Sequence, residues 1–200
     1  MFYRTDTNAH GMRHDPFKAI VAPRPIGWIG TKGRDGSLNL SPYSFFNIVS
    51  DNPKIVMFSS SGRKHSLKNA SDTGFFTASM ASRHVSEQVN ASSAPVDYGV
   101  NEFDLAGLTA RMGEVVDAPY VAEAYTALEC RLTEVIQPKD LKGELTDAYM
   151  VFGEVVGIHI SEDIIRDGRI DMQLARPVGR MGYRDYSDAG EGVFELVRPT

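Results

Sequence analysis

The chain has 200 residues, 42% of them hydrophobic and 24% charged, the balance of a folded domain rather than a disordered or membrane-embedded one. At this size about 70% of the unfolded surface can be buried without metal or disulfide staples, so one domain suffices. A formal charge of -5 argues against a nucleic-acid-coating surface but leaves room for a local basic pocket. The single cysteine, Cys130, excludes an internal disulfide and a cysteine-based metal cluster and fits a reducing cytoplasm. No apolar leader and no stretch near the ~18 residues of a membrane span occurs.

Met1 to Asp15 is polar, without a sustained period, and reads as an arm or a short edge strand. Phe17 to Ala22 leads into Pro23-Arg24-Pro25, where two prolines enforce an extended chain. In the next segment Ile26, Trp28 and Gly30 point one way and Gly27, Ile29 and Thr31 the other. This predicts a strand with gaps where a backbone or a flat ligand can approach. Asp35-Gly36 is turn chemistry, and the alternation that follows makes a hairpin. Pro42 lacks an N–H, so the second strand is expected to end or bulge there, leaving Ser44 and Asn47 on irregular backbone beside two aromatics. Ile55 to Phe58 is a buried-strand run.

Three serines, Ser59 to Ser61, then Gly62, Arg63, Lys64 and Ser66 precede a helix predicted over Leu67 to Thr73 and stopped by Gly74. A helix N-terminus has unpaired N–H groups and partial positive charge; with cations and hydroxyls around it, it forms a phosphate site. The competing reading is a solvated serine loop with a basic surface patch.

Phe75 to Met80 reads as a strand, Ser82 as the cap of a helix through Val85 and Val89, and Asn101 as the cap of a short helix stopped by Gly107. That short helix is expected to place Phe103, Leu105 and Ala106 near the core. Val115 to Tyr120 is extended. Leu128, Cys130 and Leu132 alternate with Glu129, Arg131 and Thr133, the pattern of a half-buried strand whose polar face meets solvent. Lys139 to Asp147 is a charged hairpin loop, and Met150 to Ile160, apolar on both faces apart from Glu154 and His159, is expected to be covered on both sides. Arg176 to Tyr183 is Gly-rich with arginines and an aromatic, a mixture that suits either an anionic ligand or a C-terminal strap. Many short strands and few helices indicate a mostly β barrel with peripheral helices.

Two other patterns fail on context. The glycines at 27, 30 and 33 lack the following helix of a dinucleotide fold. Asp72-Thr73-Gly74, the tripeptide of aspartic proteases, ends a helical pattern instead of a strand.

Arg-Pro-Ile-x-Trp-Ile from Arg24, Asn39 to Asn47, the Pro53 to Ser59 strand, and Lys64-x-Ser66 resemble the flavin reductase-like, FMN-binding split-barrel family. So do Ser93-Ala94-Pro95, Asn101 to Thr109, Ala127 to Leu132 and Arg176 to Arg180. The resemblance covers residues 18–186. It divides the chain into an arm at 1–17, a split-barrel domain at 18–186 and a tail at 187–200, and implies a Greek-key-like split β-barrel with peripheral helices. It further implies bound FMN rather than FAD, a homodimer, and flavin chemistry with no catalytic side chain and no metal. Thr31, Ser41, Ser44 and Asn47 would contact the ring and ribityl chain, and Ser59, Ser60 and Ser61 its polar edge and phosphate. Lys64 and Ser66 would bind the phosphate; Ser93, Ala94 and Pro95 would reach a flavin across the dimer, and Arg180 and Tyr183 would approach the cofactor. The family often has Asp-Thr after that lysine; here His65-Ser66 keeps the hydroxyl and leaves the role of His65 open. The activity implied is an NAD(P)H-dependent reductase passing hydride through flavin N5 to free flavin, oxygen or a partner oxygenase. Alternatives are a flavin redox carrier or storage protein, or a split-barrel oxidase of a small substrate such as a pyridoxamine phosphate.

Overall fold

A computed structural model describes residues 1–199. In chain order the elements are α1 (Phe17–Ile20), β1 (Gly27–Lys32), β2 (Leu38–Tyr43), β3 (Phe46–Asp51), β4 (Lys54–Ser61), α2 (His65–Thr73) and β5 (Phe75–Met80). Then come α3 (Ser86–Ala91), α4 (Glu102–Ala106), β6 (Ala110–Met112), β7 (Pro119–Val121), β8 (Thr126–Ile136) and β9 (Ala148–Ile160). The chain closes with β10 (Ile165–Arg166), β11 (Arg169–Ile170), α5 (Met172–Ala175), β12 (Val178–Arg180) and β13 (Tyr186–Asp188).

Seven strands form one antiparallel sheet in the order β2-β1-β5-β8-β9-β4-β3. The sheet curls until its ends approach: the Tyr43 ring of β2 stands 4.8 Å from the Phe58 ring of β4. The result is a split barrel, mostly β, as the alternation predicts. Ile29, Phe58, Phe76, Cys130 and Val151 form one buried cluster. On the other face of β1, Trp28 and Leu40 pack with Val85, Val89 and Phe103 from the helical segments that follow β5. Burial drives the Cys130 thiol pKa upward, in keeping with a core residue rather than a nucleophile.

The β1 gaps are filled by the protein itself. A Cβ on Gly30 would stand 2.0 Å from Pro119 O, and one on Gly27 would overlap the Phe46 ring. The backbone alternative therefore holds for Gly30, and a protein side chain occupies the space at Gly27.

Several local expectations are corrected. β2 runs through Pro42, which pairs with Trp28. It can do so because β2 is an edge strand: Leu40 N–H points off the sheet to Glu102, and Pro42, two residues on, has its missing donor on the same free side. Irregular backbone is confined to Ser44 and Phe45, while Asn47 lies within β3. Ser59 to Ser61 complete β4 instead of forming a loop. Leu105 is half exposed, whereas Phe103 is fully buried and Ala106 packs against the same cluster as expected. Ser82 precedes a single 3-10 turn, without a side-chain cap, that runs into α3. On β9, Val151 and Gly153 are buried while Ile158 and Ile160 are 52% and 45% exposed, so the single chain leaves part of that strand uncovered.

The largest departure is Glu129. A β-bulge between Glu129 and Cys130 interrupts the alternation of β8. Glu129 is then only 1% exposed, where its carboxylate accepts the N–H groups of Glu114, Val115 and Val116 at 2.9, 2.7 and 2.8 Å. His159 Nε2, stacked on the Tyr120 ring, lies 2.6 Å from the same carboxylate. Burial pushes the Glu129 pKa up, but the accepted hydrogen bonds outweigh it and hold the group below the ordinary glutamate value. This residue locks the 113–118 turn to the barrel.

Candidate functional site

The C-terminal end of β4 delivers the chain to α2 through Gly62, whose φ of +78° suits glycine. Lys64 occupies the N-cap position with extended backbone and no side-chain cap hydrogen bond. The first main-chain bond back into this turn is Lys68 N–H to Lys64 O, leaving the N–H groups of His65, Ser66 and Leu67 without a helical acceptor. At the other end Gly74, left-handed at φ 82°, closes the helix through Ala70 O, as its position predicts.

This open helix end faces a cavity of about 280 Å³ lined by Ser41, Tyr43, Lys64, Ser66 and Glu102, with Ser93, Ala94 and Pro95 across from them. Asn39, Ser41 and Tyr43 belong to one face of β2, two residues apart. The Asn39 amide, oriented to pair both ends, donates to Glu102 Oε1 at 3.3 Å and accepts from Ser66 Oγ at 2.9 Å. Glu102 also accepts Leu40 N–H at 3.0 Å. Burial raises its pKa above the usual value, more than the hydrogen bonds lower it. The Tyr43 phenol, facing the hydroxyls of Ser66, Ser60 and Ser41, is likewise raised by burial and stays protonated. His65 packs its ring edge-to-face on Tyr98 at 5.2 Å. Cation, open N–H groups and hydroxyl donors together suit a phosphate monoester.

Arg63 points elsewhere, its guanidinium 5.2 Å from the centre of the Tyr149 ring. Neighbouring residues of an extended chain diverge in this way.

A second cavity, of about 410 Å³, meets the first at Ser93 and contains Ser44, Arg180 and Tyr186. Because Pro42 lines this cavity and Ser41 and Tyr43 the first, the two flank opposite faces of β2.

The structure thus gathers Ser41, Lys64, Ser66, Ala94 and Pro95 around one cavity, and Ser44 and Arg180 around its neighbour. The other sequence candidates lie apart. Thr31 is fully buried behind α2, its hydroxyl accepting from the Asn69 amide at 3.3 Å. Ser60 is buried and donates to Gly62 O at 2.9 Å, while Ser59 and Ser61 lie on the other face of β4. Asn47 is exposed and caps its own neighbour, accepting Ile48 N–H at 2.9 Å. Tyr183 is half exposed with φ +56°, its ring 5.6 Å from that of His14.

Sequence reasoning missed Asn39, Tyr43 and Glu102. The period of two around Ser41 pointed to the first two; nothing local pointed to Glu102, which comes from a helix more than sixty positions along the chain.

Residues 21–174 match the family model described as the flavin reductase like domain. An uncharacterized protein of Aquifex aeolicus is 36% identical over 176 residues, covering 85% of this chain and 86% of that one. Among solved structures, nitrilotriacetate monooxygenase component B from Bacillus cereus is 28% identical with a TM-score of 0.86, covering 98% of both chains. Flavoredoxin of Desulfovibrio vulgaris is 26% identical with a TM-score of 0.77, covering 88% of this chain and 91% of that one. No described helix is long and apolar enough to cross a membrane. By the match over most of its length and by its fold, this chain belongs to the flavin reductase-like family.

Proposed function

We propose that the chain is an FMN flavoprotein that takes hydride from NADH or NADPH and hands it to an acceptor such as free flavin, oxygen or a partner oxygenase. The observation that carries this reading is the uncapped N-terminus of α2, opening with Lys64 and Ser66 on the cavity beside Ser41. When bound, the flavin supplies a hydride acceptor and donor at N5, so the protein needs to position rings more than to supply acids or bases. Lys64 and the N–H groups of His65 to Leu67 hold the phosphate dianion. Asn39 accepts the Ser66 hydroxyl proton, and the Asn39–Glu102 contact fixes Asn39 in turn, so this wall of the cavity is set before the ligand arrives. Tyr43 stays neutral and adds no charge to the cavity.

The component B likeness supports a reductase that serves a partner oxygenase. The flavoredoxin likeness favours a second reading, a flavin redox carrier without nicotinamide activity. Stopped-flow mixing of the FMN-loaded protein with NADH and NADPH separates them: bleaching of the flavin within one turnover supports the reductase, and an unbleached flavin leaves the carrier. A chain that binds no FMN at high micromolar concentration removes both.

The same reading includes a homodimer. Its support is the apolar cavity of about 420 Å³ containing Pro25, Ile26, Phe46, Ile48 and Leu128. Ile48, Ile158 and Ile160 are left 69%, 52% and 45% exposed, apolar side chains that a second subunit would cover. Light scattering at micromolar concentration tests it, and a monomer that still binds flavin refutes it.

A further inference from the structure

The second cavity has an electrostatic character that the phosphate-holding cavity does not explain. Arg180 and Arg184 both line it, together with Ser44, Asn90, Ser93 and Tyr186, and no carboxylate does. Among the described residues neither arginine forms an ion pair. Arg176, four positions earlier, is by contrast held by Asp188 and Glu191. Two arginines that form no ion pair among the described residues line one cavity in a chain that carries five more acidic than basic side chains, 26 against 21. Chance placement on a net acidic surface favours a nearby carboxylate instead.

The local fold explains how they come together. β12 and β13 form a hairpin in which Arg180 is opposite Tyr186, and the Arg180 guanidinium carbon lies 4.5 Å from the centre of the Tyr186 ring. Its Nη2 also donates to Tyr183 O. The hairpin loop is closed by Met181 N–H to Asp185 O at 3.0 Å and Asp185 N–H to Gly182 O at 2.9 Å, with Tyr183 in the left-handed region at φ +56°. This turn sets Arg184 over the same cavity that Arg180 enters. One guanidinium is thus oriented by an aromatic face and a carbonyl, and the other is free to close on a ligand. Bringing them together without an anion costs like-charge repulsion, which an oxyanion between them converts to attraction.

We infer that the Arg180–Arg184 cavity binds the oxyanion of the second substrate, a phosphate or carboxylate group that anchors the molecule exchanging hydride at the adjoining site. The assignment of that adjoining site rests on the flavin reading above; the anion site rests on the arginines. Two sources share this chemistry: the pyrophosphate of a nicotinamide dinucleotide and the carboxylate of an aromatic acid.

Calorimetric titration of the purified chain with inorganic pyrophosphate and with benzoate, each with and without FMN, tests the inference. The variants are Arg184→Ala, which removes an exposed side chain with no side-chain hydrogen bond among the described residues, and Arg180→Lys, which keeps the charge and removes the planar fork. Loss of one charge-assisted contact raises the dissociation constant about tenfold. A tenfold loss for pyrophosphate in Arg184→Ala, with FMN affinity changed less than about twofold, supports the inference and names the dinucleotide as the source. The same loss for benzoate alone supports it and names the carboxylic acid. Arg180→Lys, which keeps the charge, loses only part of the affinity, and unchanged thermal unfolding of each variant excludes a folding defect. Unchanged affinity for both anions overturns the inference, as does a parallel fall in FMN affinity, which would make these arginines part of the flavin's own binding. A chain that binds pyrophosphate through Arg184 but never binds FMN keeps the anion site and discards the flavin reading.

Discussion

Lys64→Ala offers the sharpest measurement of the proposed phosphate site, because FMN and riboflavin differ by the phosphate alone. Lys64 lies at the mouth of the cavity with no side-chain partner among the described residues, so its removal breaks no internal contact. A charge-assisted hydrogen bond contributes roughly 1.5 to 3 kcal/mol, and the exposure of Lys64 places it near the lower figure through solvent screening. The FMN dissociation constant should then rise about tenfold. Riboflavin affinity, with no phosphate to lose, should change less than about twofold. At about 1 M salt, where the Debye length falls to ~3 Å, the difference between wild type and variant should shrink. Arg63→Ala is the matched control: its side chain covers Tyr149 on a different surface and should leave both flavins unaffected. Quenching of flavin fluorescence on binding gives all of these constants. Equal losses for FMN and riboflavin in Lys64→Ala would refute the argument, since the loop would then be supporting the barrel and not reading a phosphate.

Two buried carboxylates should show opposite pH behaviour. Glu129→Ala leaves the buried N–H of Val116, the part-buried N–H groups of Glu114 and Val115, and His159 without their partner, and should cost about 3 kcal/mol in urea unfolding followed by Trp28 fluorescence, with Glu129→Gln costing less. Its lowered pKa means that the Glu129 contribution is complete above the ordinary glutamate range and is lost as pH falls through the folded value, a decline the Gln variant should lack. Glu102 has the reverse sign: its raised pKa means the folded state holds the proton longer, so stability declines as pH rises from the ordinary value through the folded one. Glu102→Gln keeps an acceptor for Leu40 N–H and removes that decline, so its stability relative to wild type should climb across this window; a difference independent of pH would contradict the assignment.

Much of this molecule was legible in the sequence because the signals are local. The alternation of Gly27 to Thr31, the Asp35-Gly36 turn, the left-handed glycines at 74 and 107 and the Asn101 cap each act within a few residues, where backbone geometry and side-chain period leave few choices. Lys64 and Ser66 at the start of α2 were readable for the same reason, since a helix end advertises its own donors. What the sequence could not decide depends on which strand lies at an edge and what crosses it. Pro42 looks like a strand breaker until the sheet order puts its missing donor on the free side of β2. Glu129 looks like a solvent-facing residue of an alternating strand until a bulge and the 113–118 turn enclose it. Glu102 joins the cavity from a helix far along the chain, and Thr31 lies away from that cavity because α2 packs over it. A strand's period determines which residues share a face, but only closure of the barrel determines which face meets solvent, which meets a helix, and which is left open to a ligand.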